Sequence, residues 1–469
     1  MKGYAVKHLA ISALMLAALA APASADVAIS KAATRDMSCS AGVCTPTARR
    51  AVLNATDLAT MLASGDVTVE TGSGAKSIAV TSTFSWASAS RLTLQAQKSV
   101  NVGAPIVVAG PGALTVTTGA GGDLAFFSRG RADFWDNSSS LIVNGTTYML
   151  VGDISSLAAA VTADPAGSYA LGGNYNASAD GTYFIKAVPW LDGNFDGLGH
   201  TIDKLSIDVE RMHVNGGMFE GSSGTIRDIH LQHLKLTQTG QGQFTKVGGL
   251  AGENDGLIAR SSVGGALLGG RKAVIGGLAG FNTGPISLCS ASVSMTGGFV
   301  GGLVGIGTGT ISQSWATGSL SAISDAGGLI ADGYGETAKI LQSYSTASVE
   351  MTTISVGYGG LAGFFGNQDH ASIAQSYSTG AVSGPSQGGG FIGFDNTISG
   401  MSSDYWDLDT SGVSDPSRGA ANVANDPGIT GLSDTALKSD LPAGFDPKVW
   451  AQSASVNNGY PYLIANPPQ

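Results

Sequence analysis

Charge is scarce in this 469-residue chain. Asp, Glu, Lys and Arg together make up 12% of it, the net charge is −10, and Lys and Arg nowhere cluster. Nucleic acids and anionic membrane surfaces are recognised by basic patches, so neither partner is expected. Aromatic residues are few, at 7%, yet apolar residues reach 43%, enough to build a core and too many for a disordered chain. With only three cysteines and no Cys-x-x-Cys pair, nothing points to metal or redox chemistry at sulfur.

Long apolar runs are missing too, except at the start. Lys2 and Lys7, the apolar stretch 9–19 and the small residues Ala23-Ser24-Ala25 read as a secretory signal peptide over 1–25. The stretch is too short to span a bilayer, and no later one is long enough, so no transmembrane segment is expected after its removal. The expected location is secreted or cell-surface, with the periplasm as the nearer stop. An oxidising compartment favours a local disulfide between Cys39 and Cys44. Cys289 reads as a buried free thiol.

Glycine is abundant, with 69 residues, and it is organised. A Gly-Gly-apolar marker recurs at Gly216-Gly217-Met218, Gly248-Gly249-Leu250, Gly276-Gly277-Leu278, Gly301-Gly302-Leu303, Gly327-Gly328-Leu329, Gly359-Gly360-Leu361 and Gly389-Gly390-Phe391, with apolar residues 32, 28, 25, 26, 32 and 30 apart. A second marker follows in most units: Ile258/Ser261/Leu267, Ile286/Cys289/Met295, Ile311/Ser314/Leu320, Ile340/Ser343/Val349 and Ile373/Ser376/Val382. Between markers run short stretches of Val, Ile, Leu, Ser and Thr broken by glycine, without helical periodicity. One such unit cannot close a core, so neighbours must stack.

A unit of this size matches one turn of a parallel β-helix and is too short for a four-stranded propeller blade. The expected fold class is therefore all-β: a parallel, right-handed β-helix or solenoid of roughly seven or more coils. Handedness follows the general rule for parallel crossovers. Short helices are expected near the N-terminus, at 52–64 and 155–163, and an irregular cap at the C-terminus. The expected divisions are the signal peptide 1–25, a flexible exported segment 26–51, a β-rich section 52–164 and an aromatic-rich joining segment 165–210. The repeat β-helix 211–400 and a cap and tail 401–469 complete the chain. Leu92 and Leu114, 22 residues apart in similar contexts, mark the early section as coiled as well.

The repeats resemble the GLUG motif of bacterial surface proteins. The resemblance is carried by Gly-Gly-Leu-Ala-Gly followed by Ile311-Ser312-Gln313-Ser314-Trp315-Ala316-Thr317-Gly318 or by Ile373-Ala374-Gln375-Ser376-Tyr377-Ser378-Thr379-Gly380. The segment 54–207, with Leu92-Thr93-Leu94-Gln95-Ala96, Asn144-Gly145-Thr146-Thr147-Tyr148 and Phe195-Asp196-Gly197-Leu198-Gly199-His200-Thr201-Ile202, is similar to the region preceding such repeats in filamentous-haemagglutinin-like adhesins. So is the ending, with Tyr405-Trp406-Asp407 and Gly459-Tyr460-Pro461-Tyr462-Leu463. The resemblance implies an exported, surface-associated β-helical protein of a Gram-negative bacterium. Two-partner-secretion adhesins carry a large N-terminal secretion domain that this chain has no room for, and no autotransporter-type barrel pattern ends it.

Several residue groups are candidates for chemistry. Asp192, Asn194 and Asp196, with Gly197 and Asp203, match the opening of an EF-hand calcium loop; the competing reading is a tight turn into the first coil. His230 and His233 lie three apart on a strand, on opposite faces, and read as solvated histidines. Asp404, Asp407 and Asp409 read as a solvated, capping acidic group. No nucleophile elbow and no recurring pair of carboxylates supports catalysis, so no enzyme is expected.

The repeats themselves offer a surface. If Ser314-Ala316-Gly318-Leu320 and their counterparts fill a narrow interior, then Trp315, Tyr344 and Tyr377 form an outward column beside Thr317, Thr346 and Thr379. The reverse parity would stack the rings inside. An exposed column would bind a glycan or protein ligand on a cell or matrix surface, as an adhesin does. The alternatives are a polysaccharide-degrading β-helix enzyme and a purely structural envelope or matrix protein.

Overall fold

The computed structural model describes residues 26–211, 214–240, 245–334, 338–353, 361–369, 371–384, 388–396 and 400–468. The expected signal peptide therefore lies outside the described residues. The fold is an all-β parallel solenoid of about 14 turns, with three short α-helices among the described residues.

Residues 26–51, expected to be flexible, instead open the first stack. Strand Asp26–Ser30 lies between Ala51–Asn54 and Ser77–Val80, with Val27 and Ile29 fully buried. Their alternation with polar neighbours is what a half-buried strand requires. Between them the chain makes the hairpin Met37–Ser40/Val43–Pro46, closed by the Cys39–Cys44 disulfide. The helix expected from 52 begins later: α1 spans Ala55–Ser64 because Asn54 caps it, accepting from the amides of Thr56 and Asp57. Leu58 and Leu62 sink into the core of the first stack beside its edge strand. Leu92 faces Leu114, and Leu114 faces Leu141, on successive coils, so the 22-residue spacing is one turn.

The first stack ends at a hairpin. Ser140–Val143 turns through Asn144-Gly145, both at positive φ, into the antiparallel strand Thr146–Val151. Strand direction reverses there and a second stack begins. Helix α2, Ile154–Ala163, follows at once with a capping box at Asp153. The segment 165–210, expected as an aromatic-rich joining segment, supplies coils of this second stack, including strands Ser168–Leu171 and Asn194–Asp203.

From there the two sequence markers become two columns. Ile226, Ile258, Ile286, Ile311, Ile340, Ile373 and Met401 lie in register on successive coils and fill the interior. Two residues beyond each isoleucine of this series the backbone turns through a left-handed residue that is not glycine: Asp228, Arg260, Leu288, Gln313, Gln342 and Gln375. Such a conformation costs about 1 kcal/mol or more. The next side chain offsets it: Ser314 Oγ donates to the Ser312 carbonyl at 2.8 Å, and accepts from the Cys289 amide at 3.1 Å on the preceding coil. Ser261, Cys289, Ser314, Ser343 and Ser376 repeat this inward ladder, so Cys289 is a buried free thiol in a serine slot.

The Gly-Gly marker is the opposite corner, and close approach explains both glycines. A Cβ on Gly301 would lie 1.9 Å from the Val304 carbonyl oxygen, and one on Gly302 would lie 2.0 Å from the Gly328 oxygen on the next coil. The first glycine closes the arch and the second lets coils touch. One marker slips. Gly359 and Gly360 lie outside the described residues, and Leu361 pairs with Ala326. Leu329 instead meets Phe364, whose carbonyl accepts its amide at 2.7 Å; Gly363-Phe364 takes the corner position.

Candidate functional site

The side chains singled out by sequence do not form one site. The calcium expectation gives way to a strand with a tight bend in it: Asn194–Asp203 pairs with Thr225–Thr237 on either side of an irregularity between Asp196 and His200, where Leu198 and Gly199 take positive φ. The three candidate ligands are each engaged elsewhere. Asp192 accepts from Trp190 and Ser223, Asn194 donates to Ser168, and Asp196 is buried against Arg227 at 2.7 Å. Among the described residues no group of three His, Cys, Asp or Glu side chains is placed to hold a metal.

Asp196 belongs to an ion network that joins the two stacks. Arg227 and Arg260 reach back from successive coils to Asp123 of the first stack, at 3.1 and 2.5 Å. Arg260 also makes two 2.8 Å bonds to fully buried Asp228, whose carboxyl burial pushes up while Arg260 opposes the shift. His200, fully buried, contacts Asp133 at 3.0 Å beside it. His233 is exposed and meets Asp203 at 2.7 Å, as a solvated histidine does. His230 is half-buried, with Nδ1 2.8 Å from Ser262 Oγ, and burial lowers its pKa towards the neutral form.

The acidic group at 404–409 is also different from expectation. Asp404 and Asp407 are fully buried. Asp404 accepts from the Ser376 and Ser402 amides, completing the serine ladder, and burial raises its pKa. Asp407 accepts from Tyr460 and from the Asp409 and Thr410 amides. A further buried acid, Asp426, lies against Asp395, and burial with the carboxyl–carboxyl contact pushes Asp426 up to about 7. A carboxyl raised in the folded state contributes its stability fully below the ordinary value near 3.8 and loses it as pH rises through about 7. Stability is therefore expected to fall between pH 5 and pH 8, and Asp426→Asn to flatten that fall in denaturant unfolding at the two pH values.

The aromatic column exists with the outward parity. Ser314, Ala316, Ser343 and Ser376 are buried in the interior, while Trp315, Tyr344, Tyr377 and Tyr405 stack on the other face. Trp315 and Tyr344 are 5.9 Å apart at 14°, and Tyr344 and Tyr377 are 5.1 Å apart at 3°. Yet the column is not exposed. Residues 433–468, including helix α3 (Asp434–Ser439) and the strand pair Trp450–Ala451/Tyr462–Leu463, fold back across it as a strap. Trp315 is 6% exposed, Tyr344 1% and Tyr377 0%; Thr379 is buried too. This corrects the expected open binding surface. The rings are the core between solenoid and strap, with Leu437, Phe445, Trp450, Tyr460 and Leu463 as their partners.

What stays open is beside the column. The strap's last part, Ser455 to Asn458 and Pro468, walls a groove of about 580 Å³ over the same outer face. Its floor is two rows of side chains on successive coils: Ser262, Ser290, Trp315 and Tyr344 in one, and Ser292, Thr317 and Thr346 in the other. A second hollow of about 290 Å³, sharing Ser262, Ser290 and Pro468, extends it to His230 and to Phe126, Phe127 and Ser128 at the tip of the first stack. Sequence reading found Trp315, Thr317, Tyr344 and Thr346 here; it missed the serines, whose signal was only that they stand where rings stand on later coils.

These features define a class: a parallel β-solenoid with a strap-walled, hydroxyl-lined groove. No family model and no curated protein matches the chain. Among solved structures, an IgA1 protease is similar at 19% identity and a TM-score of 0.39, over 54% of this chain. This chain spans 21% of that one. A putative immunoglobulin A1 protease from Bacteroides ovatus is similar at 14% identity and a TM-score of 0.40, over 63% of this chain and 85% of that one. Among the described residues no helix is long and apolar enough to cross a membrane.

Proposed function

We propose that the chain is an exported, surface-associated, adhesin-like binding protein that holds a glycan or protein ligand in the strap-walled groove, without a reactive centre. The observation that carries the reading is the groove itself: a concave surface on a stiff stack, lined by hydroxyls at the coil spacing of about 4.8 Å. The GLUG-like and haemagglutinin-like resemblance of the sequence agrees with export and adhesion. None of the residues lining the main groove is a carboxylate, so the two-carboxylate chemistry of a glycosidase has no groups to run on there.

The test is binding of the mature chain to host cells and matrix-protein preparations, with Ser290→Trp as the blocked variant. Ser290 is on the groove floor, and a large ring there fills the space without touching the interior. Saturable binding that drops at least tenfold in Ser290→Trp, at unchanged melting temperature, supports the reading. Absence of saturable binding, or turnover of any polysaccharide offered, would overturn it.

A further inference from the structure

The strap treats the four stacked rings unequally. Trp315 Nε1 donates to the Asn466 carbonyl at 3.1 Å, Tyr377 Oη to the Pro461 carbonyl at 2.6 Å, and Tyr405 Oη to the Ala443 carbonyl at 2.7 Å. Tyr344 is the exception. Its hydroxyl is buried and has no hydrogen-bond partner among the described residues, and Tyr344 is one of the residues around the groove. Burial also pushes its phenol well above the usual value, so it remains a donor. A buried O–H left without an acceptor loses its hydration without replacement, and a ligand oxygen in the groove would restore the bond.

The groove lies where the ring stack runs out. Tyr405, Tyr377, Tyr344 and Trp315 occupy one column, and the next two positions in it are Ser290 and Ser262. One face of the Trp315 indole is covered by Tyr344, and on the other side the column continues with small side chains, so space is left over Ser290 and Ser262. The lining has both donors and acceptors, from Ser292, Thr317, Thr346 and Asn457, and not one charged side chain in a protein of net charge −10. The floor's backbone amides and carbonyls are already used in pairing with coils on either side, so a peptide finds no free strand edge to extend.

We propose that the groove is a subsite for an uncharged glycan. A sugar ring lies over Ser290 and Ser262 beside the covered end of the ring column, and one of its oxygens accepts from Tyr344 Oη. The floor from Ser262 to Tyr344 crosses four coils, roughly 14 Å, which is room for a short oligosaccharide. This rests on the binding-protein reading and names its ligand class.

Tyr344→Phe is the discriminating variant, since it keeps the ring stack and removes only the unpartnered hydroxyl. The mature chain is titrated calorimetrically with uncharged gluco-, manno- and xylo-oligosaccharides of three to six units, with uronic-acid and sulfated counterparts, and with Ser/Thr-rich peptides of similar length. The expected result is saturable, salt-insensitive binding of an uncharged oligosaccharide. In Tyr344→Phe its affinity falls about tenfold, while the melting temperature is no lower than that of the wild type. Binding confined to charged glycans would overturn the proposal, as would an affinity unchanged in Tyr344→Phe. Peptide binding blocked by Ser290→Trp would overturn the glycan class and leave the binding reading standing. If no probe binds and the cell and matrix test also fails, both readings fall; if no probe binds while that test succeeds, only the glycan subsite does.

Discussion

Trp450→Ala is expected to lower the unfolding free energy by about 3–5 kcal/mol, the usual cost of removing a buried aromatic ring. Trp450 is 1% exposed and is the strap's main anchor on the column, 4.7 Å from Phe445, 5.8 Å from Tyr377 and 6.0 Å from Tyr344. The loss is expected to be local. Solenoid coils stay paired with their neighbours while the strap detaches, so denaturant unfolding gains an early phase and residues 433–468 become open to proteolysis. Release would uncover four stacked rings, a contiguous apolar patch that promotes self-association. Trp450→Phe is expected to cost less, because the indole Nε1 is buried without a partner and its removal relieves that penalty. A Trp450→Ala protein with wild-type protease resistance would show that this ring does not hold the strap.

Gly302→Ala is expected to cost about 3 kcal/mol or more, a large effect for a single methyl group. The new Cβ would lie 2.0 Å from the Gly328 carbonyl oxygen and 2.6 Å from the Ala316 Cβ. Neither neighbour can give way, because one is backbone inside a ladder and the other fills the interior. The coils must separate, breaking register on both sides of the corner. Soluble yield and the denaturant midpoint report the effect. Gly264→Ala is the control: it is also a glycine of the stack, but its added Cβ would come no closer than 3.7 Å to any atom. Equal loss in both variants would show that coil contact is not what the marker glycines protect.

The repeat could be read from sequence because each coil restates the same local rules. The isoleucines at 258, 286, 311, 340 and 373 fall in one register, and the residue three on, serine in four coils and Cys289 in one, takes the inward corner slot each time. The two-residue period of a strand puts Ala316 and Trp315 on opposite faces without saying which is inside. Where the repeat is imperfect, local rules mislead. The marker at 359–361 is present in the letters, but Phe364 fills the space under Leu329, because register is set by which apolar residue completes the interior column.

By itself, then, the sequence determined the parallel all-β stack, its glycine and serine corners and the Cys39–Cys44 bridge. Only the tertiary structure decided that the aromatic column faces outward and is covered, that Asp404 and Asp407 are buried, that residues 26–51 open the first stack and that a groove lies at Ser262 and Ser290. The reason is the range of the information. A periodic pattern specifies contacts between neighbouring coils. The strap meets rings up to 151 positions away in sequence, Asn466 to Trp315, through shape and stray hydrogen-bond acceptors that carry no period.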